Sequence, residues 1–380
     1  GFSNLLHLSL PPPPPPPNIL HHVHVAHMTD SSIEERPSFA WGDVQPFVER
    51  HFFGAVELVK SLPSERDLNF LVKLDEELAV FKVHNPTDLQ DFVECQCLAL
   101  EHVAQHGACC QRLLRSKSKE FLIALELEGH RRCMCRALSF LPGRMLAEVA
   151  QEMAESGERL AQLFDAVGTA VGQVTAALLT FEHAAAEREF VWDLQRCSQV
   201  VDAHISDVEE DNRALLQRVL QCQMVELRNL LPRLRRSIVH NDPNDYNLVV
   251  NGGQVGVLDF GDMVHSYTCA DAAIGMAYLL FHVPSSMPLV EGVLPFVQGF
   301  HRACPLEEVE VEALFGLAVC RVCTSLCMSA HQSKLEPDNE YLLISAKPAW
   351  RLLTRVDSEK VEHAKDIFKQ SLGLQPRSTH

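Results

Sequence analysis

The sequence predicts an α+β protein of two lobes, a small β-rich one followed by a larger, mainly helical one. Three observations predict it. The chain has 380 residues, too many for one small domain. Short strand-like apolar runs around a single helix fill residues 30–142. From residue 143 to about 372 the apolar residues recur mostly at helical spacing, interrupted by one strand-rich stretch at 237–260.

Residues 1–29 fall outside this pattern. "LPPPPPPPNILHHVHVAH" joins a polyproline run to four histidines. It has no core to bury and is expected to be a disordered or extended tail. It contains no Arg or Lys, which argues against a transit peptide or a secretory leader, and Met28 is a candidate initiator.

In the first lobe, "NFLVKL" and "ELAVFKV" read as strands joined by a "DE" turn. "PTDLQDFVECQCLALEHVAQHG" reads as a helix, opened by Pro-Thr-Asp and closed by Gly107. "FLIALEL" and "RRCMCRALSFL" are strands around "EGH", and "LPGR" at 141–144 is a candidate hinge between the lobes. In the second lobe "RLAQLFDAVGTAVGQVTAALLTF" and "RALLQRVLQCQMVELRNLL" are helical, and Pro232 ends the latter. "SIVH", "NLVV" and "QVGVLDF" are short strands, the last two joined by "NGG" at 251–253. The remainder is helical apart from a loop near "KLEPDNEY".

Lys and Arg total 33 against 50 Asp and Glu, a formal charge of −17. Such a surface repels nucleic acid and anionic membranes, so neither is an expected partner. No uninterrupted apolar run is long enough to span a bilayer; Asp271 and Arg321 break the best candidates. The 13 cysteines lie in apolar contexts without a regular framework. That is the pattern of buried free thiols in a reducing compartment, so the cytoplasm is the expected location. Cys320, Cys323 and Cys327 lack the second pair that a zinc site requires, and their spacing reads as one face of a helix.

The chemistry is concentrated in "HNDPNDYNLVVNGGQVGVLDFGD", residues 240–262, where four Asp and four Asn surround two apolar runs. Unpaired buried carboxylates are costly, so these groups belong to a solvated loop or to a bound cation. His240-x-Asp242-x-x-x-x-Asn247 followed by Asp259-Phe260-Gly261 has the spacing of a phosphoryl-transfer site of the kinase type. In that chemistry an Asp accepts the attacking hydroxyl's proton. An amide oxygen and a carboxylate hold Mg²⁺ against the nucleotide phosphates. A kinase also needs a Lys on an upstream strand. Lys82 in "ELAVFKV" is in place, with Glu94 on the following helix as its expected partner and Asp91 and Glu101 as rivals. There is no G-x-G-x-x-G ahead of Lys82; the Gly-free "LPSERDLNFLV" stands there instead, and no APE-type activation segment follows Asp259. That departs from protein kinases and favours a small-molecule kinase.

With these residues the chain resembles the aminoglycoside phosphotransferase-like, or choline kinase-like, family. "SERDLNFLVKL", "VFKVHNP", "LSFLPGRML", "SIVHNDPNDYNLVV", "GVLDFGDMVHSYTCADAAI" and "EPDNEYLLISAKPAW" carry the likeness, over roughly residues 64–355. Within the family these stretches are most similar to the hydroxylysine kinase subgroup. The resemblance implies a two-lobe protein-kinase-like fold and transfer of the γ-phosphoryl group of GTP or ATP to a hydroxyl. It implies Asp242 as catalytic base, Asn247 and Asp259 as Mg²⁺ ligands, and Lys82 with Glu94 as the phosphate-binding pair. It also implies that His240 and Asp271 support the catalytic loop. The family usually has Gly where this chain has Asn241, and Asn is the residue best able to replace Gly at positive φ.

The acceptor implied is an amino alcohol or hydroxylated amino acid, 5-hydroxy-L-lysine foremost. Its ammonium calls for carboxylates or aromatic faces. Asp262, Trp192 and Asp193 are candidates, as are Asp338, Asn339 and Tyr341, with core packing as the alternative for Trp192. Arg321, alone in an apolar helical run, answers either a substrate carboxylate or an internal acid. Two other readings stand beside this one. One is a catalytically degenerate kinase-like nucleotide-binding protein; the other is a kinase of aminoglycosides, choline or homoserine.

Overall fold

The computed structural model describes residues 36–374 except 65, 75–76, 155, 336–340 and 360, and omits the side chains of 341–345 and 362. The tail at 1–29, the "DE" turn, Asp338, Asn339 and the Tyr341 side chain therefore lie outside the described residues.

The N-terminal part is an antiparallel sheet of order β1-β2-β3-β6-β4, with β5 pairing β6. The strands are β1 (Glu57–Leu62), β2 (Leu68–Leu74), β3 (Glu77–Val83), β4 (Leu113–Leu114), β5 (Ile123–Leu125) and β6 (Cys133–Ser139). The runs "NFLVKL" and "ELAVFKV" are β2 and β3, in register Leu71↔Val80 and Asn69↔Lys82. Successive side chains take opposite faces. Phe70, Val72, Ala79, Phe81 and Val83 enter one buried cluster, with α1 (Trp41–His51) over them. Leu71, Val80 and Leu138 enter the other, with α2 (Gln90–Gln105). Lys82 has the parity of Val80 and so faces the α2 side. The apolar pattern signals neither α1, which contains Pro46, nor β1, an edge strand with an exposed, polar face.

The C-terminal part is mainly helical: α3 (Leu146–Met153), α4 (Gly157–Leu178), α5 (Cys197–His204), α6 (Glu210–Leu227), α7 (Ala270–Leu279), α8 (Leu289–Ala303), α9 (Glu308–Leu335), α10 (Tyr341–Ser358) and α11 (Ala364–Ser371). α9 is long and apolar enough to cross a membrane, yet most of it is buried inside the protein, with α5, α6, α7, α10 and α11 packed on it. Cys320, Cys323 and Cys327 lie buried along it, and all 13 thiols are free.

Two small ladders sit against these helices. β9 (Leu248–Asn251) and β10 (Gln254–Val257) form the hairpin expected from "NGG", with Gly252 and Gly253 at φ +56° and +92°. β7 (Arg144–Met145), just after "LPG", pairs with β9, and a side chain on Gly143 would strike the Val250 carbonyl. β8 (Arg236–Val239) pairs with β11 (Val264–Tyr267), not with β9. The 240–247 loop thus links two separate ladders.

Helices α4 and α8 cross at van der Waals distance through glycines. A Cβ on Gly168 would lie 2.1 Å from the Phe296 carbonyl oxygen, and one on Gly299 2.2 Å from that of Asp165. Helix propensity alone would favour Gly168→Ala by about 1 kcal/mol. The steric conflict outweighs it, so this substitution lowers stability by about 1–3 kcal/mol in a urea titration; an unchanged or raised midpoint would contradict the close crossing.

Candidate active site

The polar residues of the 240–247 loop, apart from the half-buried Tyr246, are buried and hydrogen-bonded both to one another and to other segments. Asp271, at the start of α7 and fully buried, is the anchor. Its Oδ2 accepts from the His240 N–H (3.1 Å) and the Thr175 hydroxyl (3.0 Å), and its Oδ1 from the Asn241 N–H (2.7 Å). Asn241 has φ +66°, the left-handed conformation expected where Asn replaces Gly. His240 accepts from the Asp242 N–H at Nδ1 (3.2 Å) and therefore donates from Nε2 to the Leu258 carbonyl (2.9 Å). One imidazole thus ties the Asp242 loop to the strand that leads to Asp259. Further along the loop, the Asp245 carboxylate meets His282 at 2.8 Å.

Asn244 and Asn247 shape the rest of the loop. Both amide nitrogens donate to Asp242 Oδ2, at 2.9 and 2.7 Å. The Asn247 amide thus turns its nitrogen toward Asp242, and its oxygen is the end a hard cation takes. The Leu258 N–H donates to the Asn247 carbonyl at 2.8 Å, so Asn247 and Asp259 leave the hairpin at adjacent strand ends. Asp259 is also at positive φ, +52°, a conformation a non-glycine residue rarely adopts. Its carboxylate is one-third exposed, and the Gly261 N–H holds its Oδ1 at 3.0 Å. An aspartate and an amide oxygen at neighbouring strand ends fit Mg²⁺, which takes oxygen ligands and few from protein.

Lys82 reaches this site from β3. Its Nζ lies 3.6 Å from Asp259 Oδ1 and 2.8 Å from Asp67 Oδ2. Burial works against its charge, but Asp259 and Asp67 outweigh burial and hold its pKa above the usual lysine value. Asp67 thus fills the place expected of Glu94. Glu94 is exposed on α2, because that helix turns Cys95, Gln96 and Cys97 inward. The inward Gln96 accepts from Arg136 (2.9 Å), the residue paired with Lys82 across β3 and β6. Asp67 lies just ahead of β2, two residues before Lys82's partner Asn69.

Two arginines join the site: Arg188, which the sequence did not single out, and Arg321, which it left between a substrate carboxylate and an internal acid. Arg188 donates to the carbonyls of Met263 (3.0 Å) and Gly261 (3.2 Å) while stacked on Phe92 of α2 (3.8 Å) and on Phe190 (4.2 Å). It joins the N-terminal helix to the turn that follows Asp259. Burial pulls its pKa down to about 10, against the nearby Asp262. Arg321, on α9, meets an internal acid, and that acid is Asp242, with Nη2 to Oδ1 at 2.8 Å and both side chains buried. Burial opposes the Arg321 charge, yet Tyr278 and Asp242 hold its pKa above the usual value.

The acceptor candidates divide. Asp262 is half-buried and close enough to Arg188 and Arg321 for its charge to act on both. Trp192 is buried, and its ring is covered by the Arg321 guanidinium at 4.4 Å, so its face is not open to a substrate ammonium. Asp193 is structural: its oxygens accept from the Gln195 backbone and side chain and from the Ser266 hydroxyl.

A small sheet lobe carrying the buried lysine, set on a helical lobe carrying the Asp242 loop and Asp259, is the protein-kinase-like fold. A family model for the APH phosphotransferase enzyme family matches residues 59–302. The chain belongs to that family and is a phosphotransferase. Among its relatives, the hydroxylysine kinase of Mus musculus is 29% identical over 355 residues, covering 86% of this chain and 91% of its own length. That of Danio rerio is 28% identical over 344 residues, covering 86% and 94%. Among solved structures, the amicoumacin kinase hAmiN bound to AMP-PNP, Ca²⁺ and Ami superposes with a TM-score of 0.65 at 15% identity, covering 87% of this chain and 97% of that one. A microcompartment-associated aminopropanol kinase gives 0.62 at 14%, covering 88% and 99%. At such identities the likeness is one of fold.

The Lys82 pairing separates two substitutions. Asp67→Asn removes a charge-assisted hydrogen bond, so the KM for nucleotide rises roughly tenfold. Glu94→Ala changes an exposed side chain, so the same KM stays within about twofold. The reverse order of effects would restore Glu94 as the partner.

Proposed function

We propose that this protein is a Mg²⁺-dependent small-molecule kinase. It transfers the γ-phosphoryl group of GTP or ATP to the hydroxyl of an amino alcohol or hydroxylated amino acid, with 5-hydroxy-L-lysine the leading acceptor. The observation that carries the reading is that Lys82 lies beside Asp259 while His240 ties the strand before Asp259 to the Asp271-braced Asp242 loop. The acceptor class rests on the four relatives named hydroxylysine kinase, each spanning most of this chain.

In this reading Lys82 neutralises the donor phosphates. Asp259 and the Asn247 oxygen hold Mg²⁺, which when bound offsets the charge on the β- and γ-phosphates. Asp242 accepts a hydrogen bond from the acceptor hydroxyl, points it at phosphorus and takes its proton as the new bond forms. Arg188 keeps the Gly261–Met263 turn in place, so that Asp259 holds its left-handed conformation. Little covalent chemistry falls to the protein, because phosphoryl transfer is mainly positioning and charge neutralisation.

The direct test is Mg²⁺-dependent release of nucleoside diphosphate, with ATP and GTP in parallel. The acceptor panel holds 5-hydroxylysine, ethanolamine, choline, homoserine and an aminoglycoside. The expected result is release stimulated by 5-hydroxylysine; no stimulation by any acceptor, in protein that binds nucleotide, favours the degenerate reading. Asp242→Asn lowers kcat by about 10²–10⁴-fold. It also leaves Arg321 buried without its counter-charge, at a stability cost of about 3–5 kcal/mol, so nucleotide binding is measured below the variant's melting range and stays near wild type there. Asp259→Asn raises the Mg²⁺ concentration needed for half-maximal rate. Retention of most activity by Asp242→Asn would remove it from the catalytic role, and an unchanged Mg²⁺ requirement would do the same for Asp259 as a ligand.

A further inference from the structure

We infer that Arg321 and Trp192 form a receptor for an acceptor carboxylate beside Asp242, which makes the acceptor an amino acid rather than a simple amino alcohol. The inference rests on the kinase reading above and narrows its substrate.

The two oxygens of Asp242 have different surroundings. Oδ2 accepts from Asn244 and Asn247, the loop side that leads to the metal-binding groups. Oδ1 accepts from Arg321 Nη2 at 2.8 Å. An acceptor hydroxyl that approaches Asp242 from the side away from Asn247 therefore comes up against the Arg321 guanidinium. Residues 240–247 contain no Lys or Arg, so the positive charge on this carboxylate arrives from α9.

The donors around that guanidinium are not all used. Arg321 gives Nη1 to the Trp192 carbonyl (3.2 Å) and Nη2 to Asp242, hydrogen-bonds the Tyr278 side chain, and stacks on the Trp192 ring at 4.4 Å. Its Nε–H has no acceptor among the described residues, and neither has the indole Nε1–H of Trp192, although both atoms are buried. Both residues are only 3% exposed. A buried donor without a partner costs about as much as a lost hydrogen bond, and two on stacked groups next to a catalytic carboxylate form a built feature. The group that satisfies both an indole N–H and a guanidinium N–H is an anionic oxygen pair, which Arg binds best as a planar carboxylate. Asp242 already pairs with the one charge on Arg321, and Asp262 acts on it as well, so a bound carboxylate adds a negative charge. That charge suits an acceptor that brings its own ammonium, and the half-buried Asp262 lies within electrostatic reach of Arg321 to receive it. A zwitterionic amino acid meets these conditions and a diamine does not.

The test compares ligands that differ only in the carboxylate. Calorimetry on the wild-type protein with L-lysine and with cadaverine needs no turnover; L-lysine is expected to bind roughly tenfold or more tightly. Turnover is compared on 5-hydroxylysine and on 1,5-diaminopentan-2-ol. Trp192→Phe keeps a ring under Arg321 and removes only the N–H, so it should raise KM for 5-hydroxylysine severalfold and leave KM for the diamine unchanged. Arg321→Lys should reduce the same preference further. Equal binding of lysine and cadaverine, or loss of kcat on both acceptors with the KM ratio intact, overturns the receptor and leaves Arg321 as a group that only orients Asp242. A lysine preference in calorimetry without any diphosphate release would instead overturn the kinase reading while keeping the receptor.

Discussion

Asp271 has no exposed surface and makes no ion pair among the described residues, yet the geometry of the Asp242 loop follows from it. Burial pushes its carboxyl pKa up, and His240 and the donors from His240, Asn241 and Thr175 work in the opposite direction. Three donors on two oxygens are what make a buried carboxylate tolerable. They also join three distant segments: α4 through Thr175, α7 through Asp271 itself, and the loop through two consecutive backbone N–H groups. Two consecutive N–H groups can point at one carboxylate only if the chain turns sharply, and Asn241 supplies the turn at φ +66°. The close crossing of α4 and α8 matters for the same reason, since it sets the position of the helix that carries Thr175.

Around that anchor the charges of the site are arranged in pairs drawn from far apart in the chain. Lys82 meets Asp67 and Asp259, and Arg321 meets Asp242. Burying such pairs contributes little net stability, because desolvation offsets most of the attraction. What they contribute is a defined geometry: an Asp242 carboxylate held from both sides, and a Lys82 ammonium already beside Asp259. Arg188 extends the arrangement across the lobes, with its face on Phe92 of α2 and its edge on the turn after Asp259.

Much of this was legible in the sequence where the signal is local. The β2–β3 pair, α2, the "NGG" hairpin and the helical face of Cys320, Cys323 and Cys327 depend on periodicity and turn chemistry within a few residues. The left-handed Asn241 was legible for the same reason, as a property of one residue type at one position. The partner of Lys82 was not. Several carboxylates on or near α2 had similar spacing, and the choice depended on the rotation of that helix against the sheet. The rotation puts Gln96 and Cys97 inward toward Arg136 and leaves Glu94 in solvent. Asp67 gave no motif signal, because it belongs to an irregular connection whose position is set by the β2–β3 register. Trp192 and Asp193 had the right residue types for an ammonium site, but one is stacked under a guanidinium and the other is hydrogen-bonded to Gln195 and Ser266.

The sequence by itself determined the two-lobe α+β class, the phosphoryl-transfer spacing of His240, Asp242, Asn247 and Asp259, and a strand lysine at position 82. Each is a short-range pattern enforced by backbone geometry. Only the tertiary structure decided which acid faces Lys82, and that Arg321 from α9 pairs with Asp242 while Arg188 from the segment after α4 holds the turn after Asp259. Those contacts join residues up to 177 positions apart (Lys82 with Asp259), with Arg321 and Trp192 129 apart, as the paired and hydrogen-bonded atoms show. Separations of that kind depend on helix rotation, strand register and packing acting together, and no local preference of the chain encodes them.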